Sequence, residues 1–157
     1  MTEAYWEGVI WTYFQTITND GTNSGNHNWV IEGAAGEEFE VLYGHLFNGD
    51  ASARTVSAQI RDISNNILSY LLPNGASVAA GAARAFPTSM SSADDDAVGH
   101  GRLIVAGTMD LNFTINSVAV SQDTRLGLVL RLRAGLPTVT VTSPTGATES
   151  TPVQGTV

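Results

Sequence analysis

Alternation with a period of two constrains this chain more than any other feature of its sequence. From Arg54 to Arg61, Val56, Ala58 and Ile60 alternate with Thr55, Ser57, Gln59 and Arg61. Successive side chains of a strand point to opposite faces, so one set is directed to a core and the other to water. The pattern recurs from Asp110 to Asn116, where Leu111, Phe113 and Ile115 oppose Asp110, Asn112, Thr114 and Asn116. It recurs again where Leu126, Leu128, Leu130 and Leu132 face one way and Arg131 and Arg133 the other. In EEFEVLYGHLF, Phe39, Val41, Tyr43, His45 and Phe47 fall on one face and Leu42 and Leu46 on the second, which predicts a strand lying between two layers. GVIWTYFQTIT, NWVIE, NILSYLL, RLIVAG and PTVTVTS complete the series of short strands.

Turn chemistry punctuates the strands: NDGTNSGNHN, EGAAGE, NGDAS, DISNN, LPNGAS and RAGLPT are rich in the residues that tolerate tight turns. Apolar residues at helical spacing never extend beyond a turn or two. Ser92 and Asp95 could cap one short turn at most. Many short strands separated by turns predict an all-β, antiparallel β-sandwich or barrel. A chain of 157 residues with about eight to ten strands suits a jelly roll, whereas seven would suit an immunoglobulin-like sandwich; the jelly-roll type is the expectation. The length fits one domain with its own core, placed at residues 1–142. Residues 143–157, TSPTGATESTPVQGTV from Thr142 onward, are poor in bulky apolar side chains and predict an extended or disordered C-terminal arm. No internal repeat stands out.

Composition narrows the function. Cysteine is absent, which removes disulfides, thiolate chemistry and cysteine-ligated zinc. A net charge of -8 opposes nucleic-acid backbones and argues for no nucleic-acid partner. All basic residues are arginine, whose planar fork suits interface pairing. The N-terminal MTEAYWEGVIWTYFQTIT has acids where a secretion signal needs positive charge, and no run approaches the roughly 18 apolar residues that span a bilayer. The expectation is synthesis in a cytoplasm and no membrane partner.

ADDDAVGHG, residues 93–101, looks most like chemistry. A calcium loop of the EF-hand type needs acids at alternate positions and a glutamate at the twelfth, whereas Asp94, Asp95 and Asp96 are consecutive. Asp94, Asp96 and His100 would need donors from elsewhere, so the stretch reads as a solvated connection into RLIVAG. His27 and His100 read as loop residues and His45 as a half-buried strand residue. No Gly-x-Ser-x-Gly elbow marks a nucleophile, and GAAGEE and AAGAARA lack the lysine and helix of a phosphate loop. No catalytic residue, metal or cofactor is expected. Aromatic residues offer the better candidates: Tyr5, Trp6, Trp11, Tyr13 and Phe14 crowd the first fourteen positions. Aromatic and arginine side chains dominate interface hot spots, so Tyr5, Trp6, Trp11, Arg131 and Arg133 are the candidate protein contacts, with residues 1–14 as a docking segment. Closing the end of the sandwich is the alternative role for these aromatics.

The stretches VLYGHLFNGDASARTVSAQIRDISNNILSYLL and LIVAGTMDLNFTINSVAVSQDTRLGLVLRLR resemble small structural proteins of tailed bacteriophages, the capsid decoration or cement proteins with a jelly-roll or related β-sandwich. The resemblance implies a noncatalytic homotrimer on the outer capsid surface of a virion, bound to the major capsid protein and bridging adjacent capsomers. Another class remains open: a carbohydrate- or receptor-binding head of a fibre or spike, with Trp6, Trp11 or Trp29 as the sugar platform.

Overall fold

The structure, a computed structural model, describes residues 8–86, 103–133 and 135–157. The chain is an all-β sandwich of two antiparallel sheets. The first sheet holds β1 (Val9–Thr18), β3 (Phe39–Asn48), β7 (Ala82–Phe86), β8 (Leu103–Val105), β10 (Asp123–Leu132), β12 (Thr148–Glu149) and β13 (Val153–Thr156). The second holds β2 (Gly25–Glu32), β4 (Arg54–Asp62), β5 (Ile67–Tyr70), β6 (Ser77–Val78), β9 (Met109–Val118) and β11 (Thr138–Thr142). The strand order is β12-β1-β10-β3-β7 in one sheet, with β13 also on β1 and β8 also on β3, against β11-β2-β9-β4-β5 in the other. The thirteen strands among the described residues are more than the eight to ten expected. The surplus is in pieces of two to five residues, such as β6, β8 and β12, which are too short to show an alternation.

The inward residues of the long strands meet between the sheets. Trp11, Tyr13 and Ile17 of β1, Trp29 and Ile31 of β2, Leu111, Phe113 and Ile115 of β9 and the even-numbered leucines of β10 are all buried. Phe86 stacks on Phe113 with ring centroids 4.8 Å apart, and its ring occupies the space a β-carbon on Gly44 would need.

The chain crosses from the first sheet to the second after β1 and again after β3, and the turns at these two crossings share a construction. After β1, buried Asn19 accepts the N–H of Gly21 on its Oδ1 and donates Nδ2 to the carbonyl of Asn23. After β3, buried Asn48 accepts the N–H of Asp50 and donates to the carbonyl of Ser52. Each side chain also reaches across the sandwich, Asn19 to the carbonyl of Val118 and Asn48 to that of Val78. An asparagine amide, with two donors and an acceptor, thus closes the turn and satisfies otherwise buried carbonyls. Asp50 reinforces the second turn. Burial opposes its charge, but the N–H groups of Ala119 and Ser52 and the Arg54 guanidinium, 2.8 Å away, outweigh burial and hold the carboxyl below its usual range.

The segment after residue 142 is extended, as a composition poor in large apolar groups allows, and it is paired. β13 lies antiparallel on β1, with Phe14 opposite Val153 and Trp11 opposite Thr156, and Ile10 and Val157 exchange both backbone hydrogen bonds. Its own side chains are exposed. What ties it down is polar: Gln154 accepts from the Trp11 indole at 3.3 Å, and the Ser150 carbonyl accepts from Gln15 at 2.9 Å. Gln15 in turn accepts from Trp29 Nε1 and the Tyr13 hydroxyl in the core. Burial, with Glu149 adding to it, pushes the Tyr13 hydroxyl up to about 12.

Candidate interaction face

The two sheets present different outer faces. On the second sheet the outward residues run across the strands as Thr140, Val30, Asn112, Gln59 and Tyr70, and in the next row as Thr142, Asn28, Thr114 and Ser57. The face is mostly polar, as the outer side of an antiparallel sheet often is, although Asn112 and Gln59 at its centre are themselves buried.

The first sheet differs. A row across its outer face reads Val153, Phe14, Gly127, His45 and Ala85. The neighbouring rows read Thr12, Val129 and Tyr43 on one side and Thr16, Arg125, Phe47 and Ala83 on the other. Tyr43 is 50% exposed, Phe14 38% and Val153 69%. Gly127 lets the row close up: the His45 ring lies where a β-carbon on residue 127 would sit. His45 is flanked by Phe14 and Tyr43 at ring-centroid distances of 6.5 and 6.3 Å, and burial lowers its pKa from the ordinary histidine value. Arg125 lies over the Phe47 ring at 4.7 Å, a cation–π contact that leaves the ring covered on one side.

A β-bulge creates this face. Val129 pairs with Tyr43 but Leu130 with Val41, so Leu42 is an extra residue in β3, and an extra residue reverses the facing of everything beyond it. Regular alternation had put Phe39, Val41, Tyr43, His45 and Phe47 together. The bulge instead turns Phe39 and Val41 inward with Leu46, and leaves Tyr43, His45 and Phe47 outside.

Among the described residues the charges on this face are paired. Arg131 pairs with Glu40 at 2.7 Å and Arg125 with Asp123 at 3.2 Å, while Arg133 lies at the rim, 3.6 Å from Glu38. Of the candidate contacts, Arg131 therefore belongs to the face and Arg133 to its edge. Trp11 belongs to neither: it is fully buried, because it shares the inward phase of β1 with Tyr13, and a buried indole cannot serve as an exposed contact. Trp29 is likewise fully buried, which removes both of these tryptophans as sugar platforms. Tyr5, Trp6 and the stretch 93–101, with Asp94, Asp96 and His100, lie outside the described residues.

His27 is a correction. It is a core residue of β2, not a loop residue, with Nδ1 2.6 Å from the Thr124 hydroxyl and Nε2 buried without a partner. Burial, only partly opposed by Asp123, lowers its pKa to about 4. Among the described residues no three His, Cys, Asp or Glu side chains group as a metal site. A cleft of about 350 Å³ lies beside Glu32 and Asp110 at one end of the second sheet. These two carboxylates are direct cross-strand neighbours, with Arg61 on the other side of Asp110, and burial followed by the Glu32 charge raises the Asp110 pKa.

No family model, curated protein or solved structure gives a match to this chain. Fold and face define it as a two-sheet antiparallel β-sandwich domain with one aromatic, charge-balanced outer surface.

Proposed function

We propose that this chain is a noncatalytic structural protein that works by surface contact, a decoration protein on the outer capsid surface of a tailed-phage head. In that setting it binds the major capsid protein, associates with itself as a homotrimer and bridges capsomers. The observation that carries this reading is the aromatic outer face of the β1 sheet beside a polar outer face on the other sheet. A surface given only to solvent gains nothing from the adjoining rings of Tyr43, Phe14 and Phe47 on the central strands of a sheet, and contiguous exposed apolar patches mark interaction sites. The order β1-β10-β3-β7 facing β2-β9-β4-β5 supports a jelly-roll reading, the architecture of many viral coat proteins. Sedimentation of the purified protein with undecorated heads tests it. Wild type should travel with the heads and Tyr43→Glu should not; wild type left at the top of the gradient would count against the proposal.

A sugar-binding fibre head is the second reading, favoured by the exposed rings of Tyr43 and Phe14 on either side of His45. It predicts glycan-array binding that Tyr43→Ala abolishes. An empty array would remove it.

A further inference from the structure

We propose that the outer face of the β1 sheet is where a second copy of this chain docks. The inference rests on reading that face as a contact surface and goes on to name its occupant.

Size is the first argument. Five strand positions cross the sheet, about 4.8 Å apart, and its three long strands have ten residues each at about 3.3 Å per residue, so the face measures roughly 24 by 33 Å. That is about 800 Å², the share one partner contributes to a standard stable interface.

Charge is the second argument, and it selects the occupant. The molecule carries fifteen acids against seven arginines, so two copies repel across most orientations. On this face Arg131 is matched by Glu40 and Arg125 by Asp123. Among the described residues a second copy can approach here without opposing uncompensated acids, whereas the outer face of the other sheet sets Glu32 and Asp110 side by side against the single Arg61. The apolar rows then supply the attraction, with Tyr43 and Phe14 as the large exposed side chains nearest the centre. Aromatic groups of this kind at the middle of a patch carry most of an interface's energy.

The test is the mass of the full chain by light scattering over a concentration series. Wild type should reach a mass of two or more 16.5 kDa chains. Tyr43→Glu should weaken association by about tenfold or more, while Thr140→Glu, on the opposite outer face, should leave it unchanged. Because the chain has no cysteine, a single Thr12→Cys probe provides a reading that does not depend on the charged variant folding. Its maleimide labelling should slow on association, and that of Thr140→Cys should not. A wild type that stays monomeric, or association indifferent to Tyr43→Glu with equal labelling of both probes, overturns the proposal. If the monomer still binds heads and Tyr43→Glu abolishes that binding, the contact face stands and only the second copy is wrong. If Tyr43→Glu also binds heads normally, both readings fail.

Discussion

His27 is the residue whose chemistry most clearly departs from its surroundings. Its imidazole is sealed between the sheets with one nitrogen bonded to Thr124 and the other without a partner, so the fold accepts only the neutral ring. Its folded pKa of about 4 lies below the unfolded value of 6.5. The stabilisation from the neutral form is therefore complete above pH 6.5 and is lost as pH falls from 6.5 to 4, by about 3 kcal/mol in all. Urea midpoints measured across that window should fall for wild type and stay much flatter for His27→Gln; parallel curves would contradict this account. Two glycines make a contrasting pair. A methyl on Gly44 meets the Phe86 ring, which is buried and stacked on Phe113, so Gly44→Ala should cost about 2–3 kcal/mol. A methyl on Gly127 meets only the half-buried His45 ring, which can swing outward. Gly127→Ala should change stability by less than about 1 kcal/mol yet disturb the aromatic row, a split that thermal melts and association measurements would reveal together.

At the scale of elements, the alternating strands were legible because one face of each meets a core and the other meets water. β4 and β9 show the apolar–polar alternation most cleanly, although Gln59 and Asn112 on their outer side are themselves buried. β3 was harder because it is apolar in both phases, and a one-residue bulge at Leu42 cannot be seen in a pattern that has apolar residues on either side of it. That doubled apolarity, in VLYGHLF and again in VIWTYF, was nevertheless the available signal for a sheet with something to cover on both faces. Trp11 was misplaced because crowding of aromatics near a terminus says nothing of their phase. The C-terminal strands were invisible for a different reason: β13 buries no large side chain and is held by backbone bonds to β1 and by Gln154. Removing residues 153–157 should strip the β1 edge, leave the Trp11 indole without its partner and cost about 3 kcal/mol. At roughly 2–4 °C per kcal/mol for a chain of this size, the melting temperature should drop by about 8 °C, and the bared edge should promote aggregation. An unchanged melt would show that the strand contributes nothing to the fold.

The molecule as a whole is an acidic sandwich with one neutral, aromatic side. If copies meet through that side, the attraction is apolar and the opposition is the long-range repulsion of the remaining acids, which added salt screens. Association should therefore tighten between 50 and 500 mM sodium chloride, the range over which the Debye length falls from about 14 to about 4 Å; weakening with salt would mean that ion pairs across the interface hold it instead. The central claim, that the outer face of the β1 sheet is the working surface, is tested most directly by hydroxyl-radical footprinting of the chain free and in its assembly, whether with itself or on a head. Tyr43, Phe14 and Phe47 should lose reactivity in the assembly while Tyr70 on the other sheet keeps its own. Equal reactivity of Tyr43 in both states, or protection confined to Tyr70 and its neighbours, would contradict the claim.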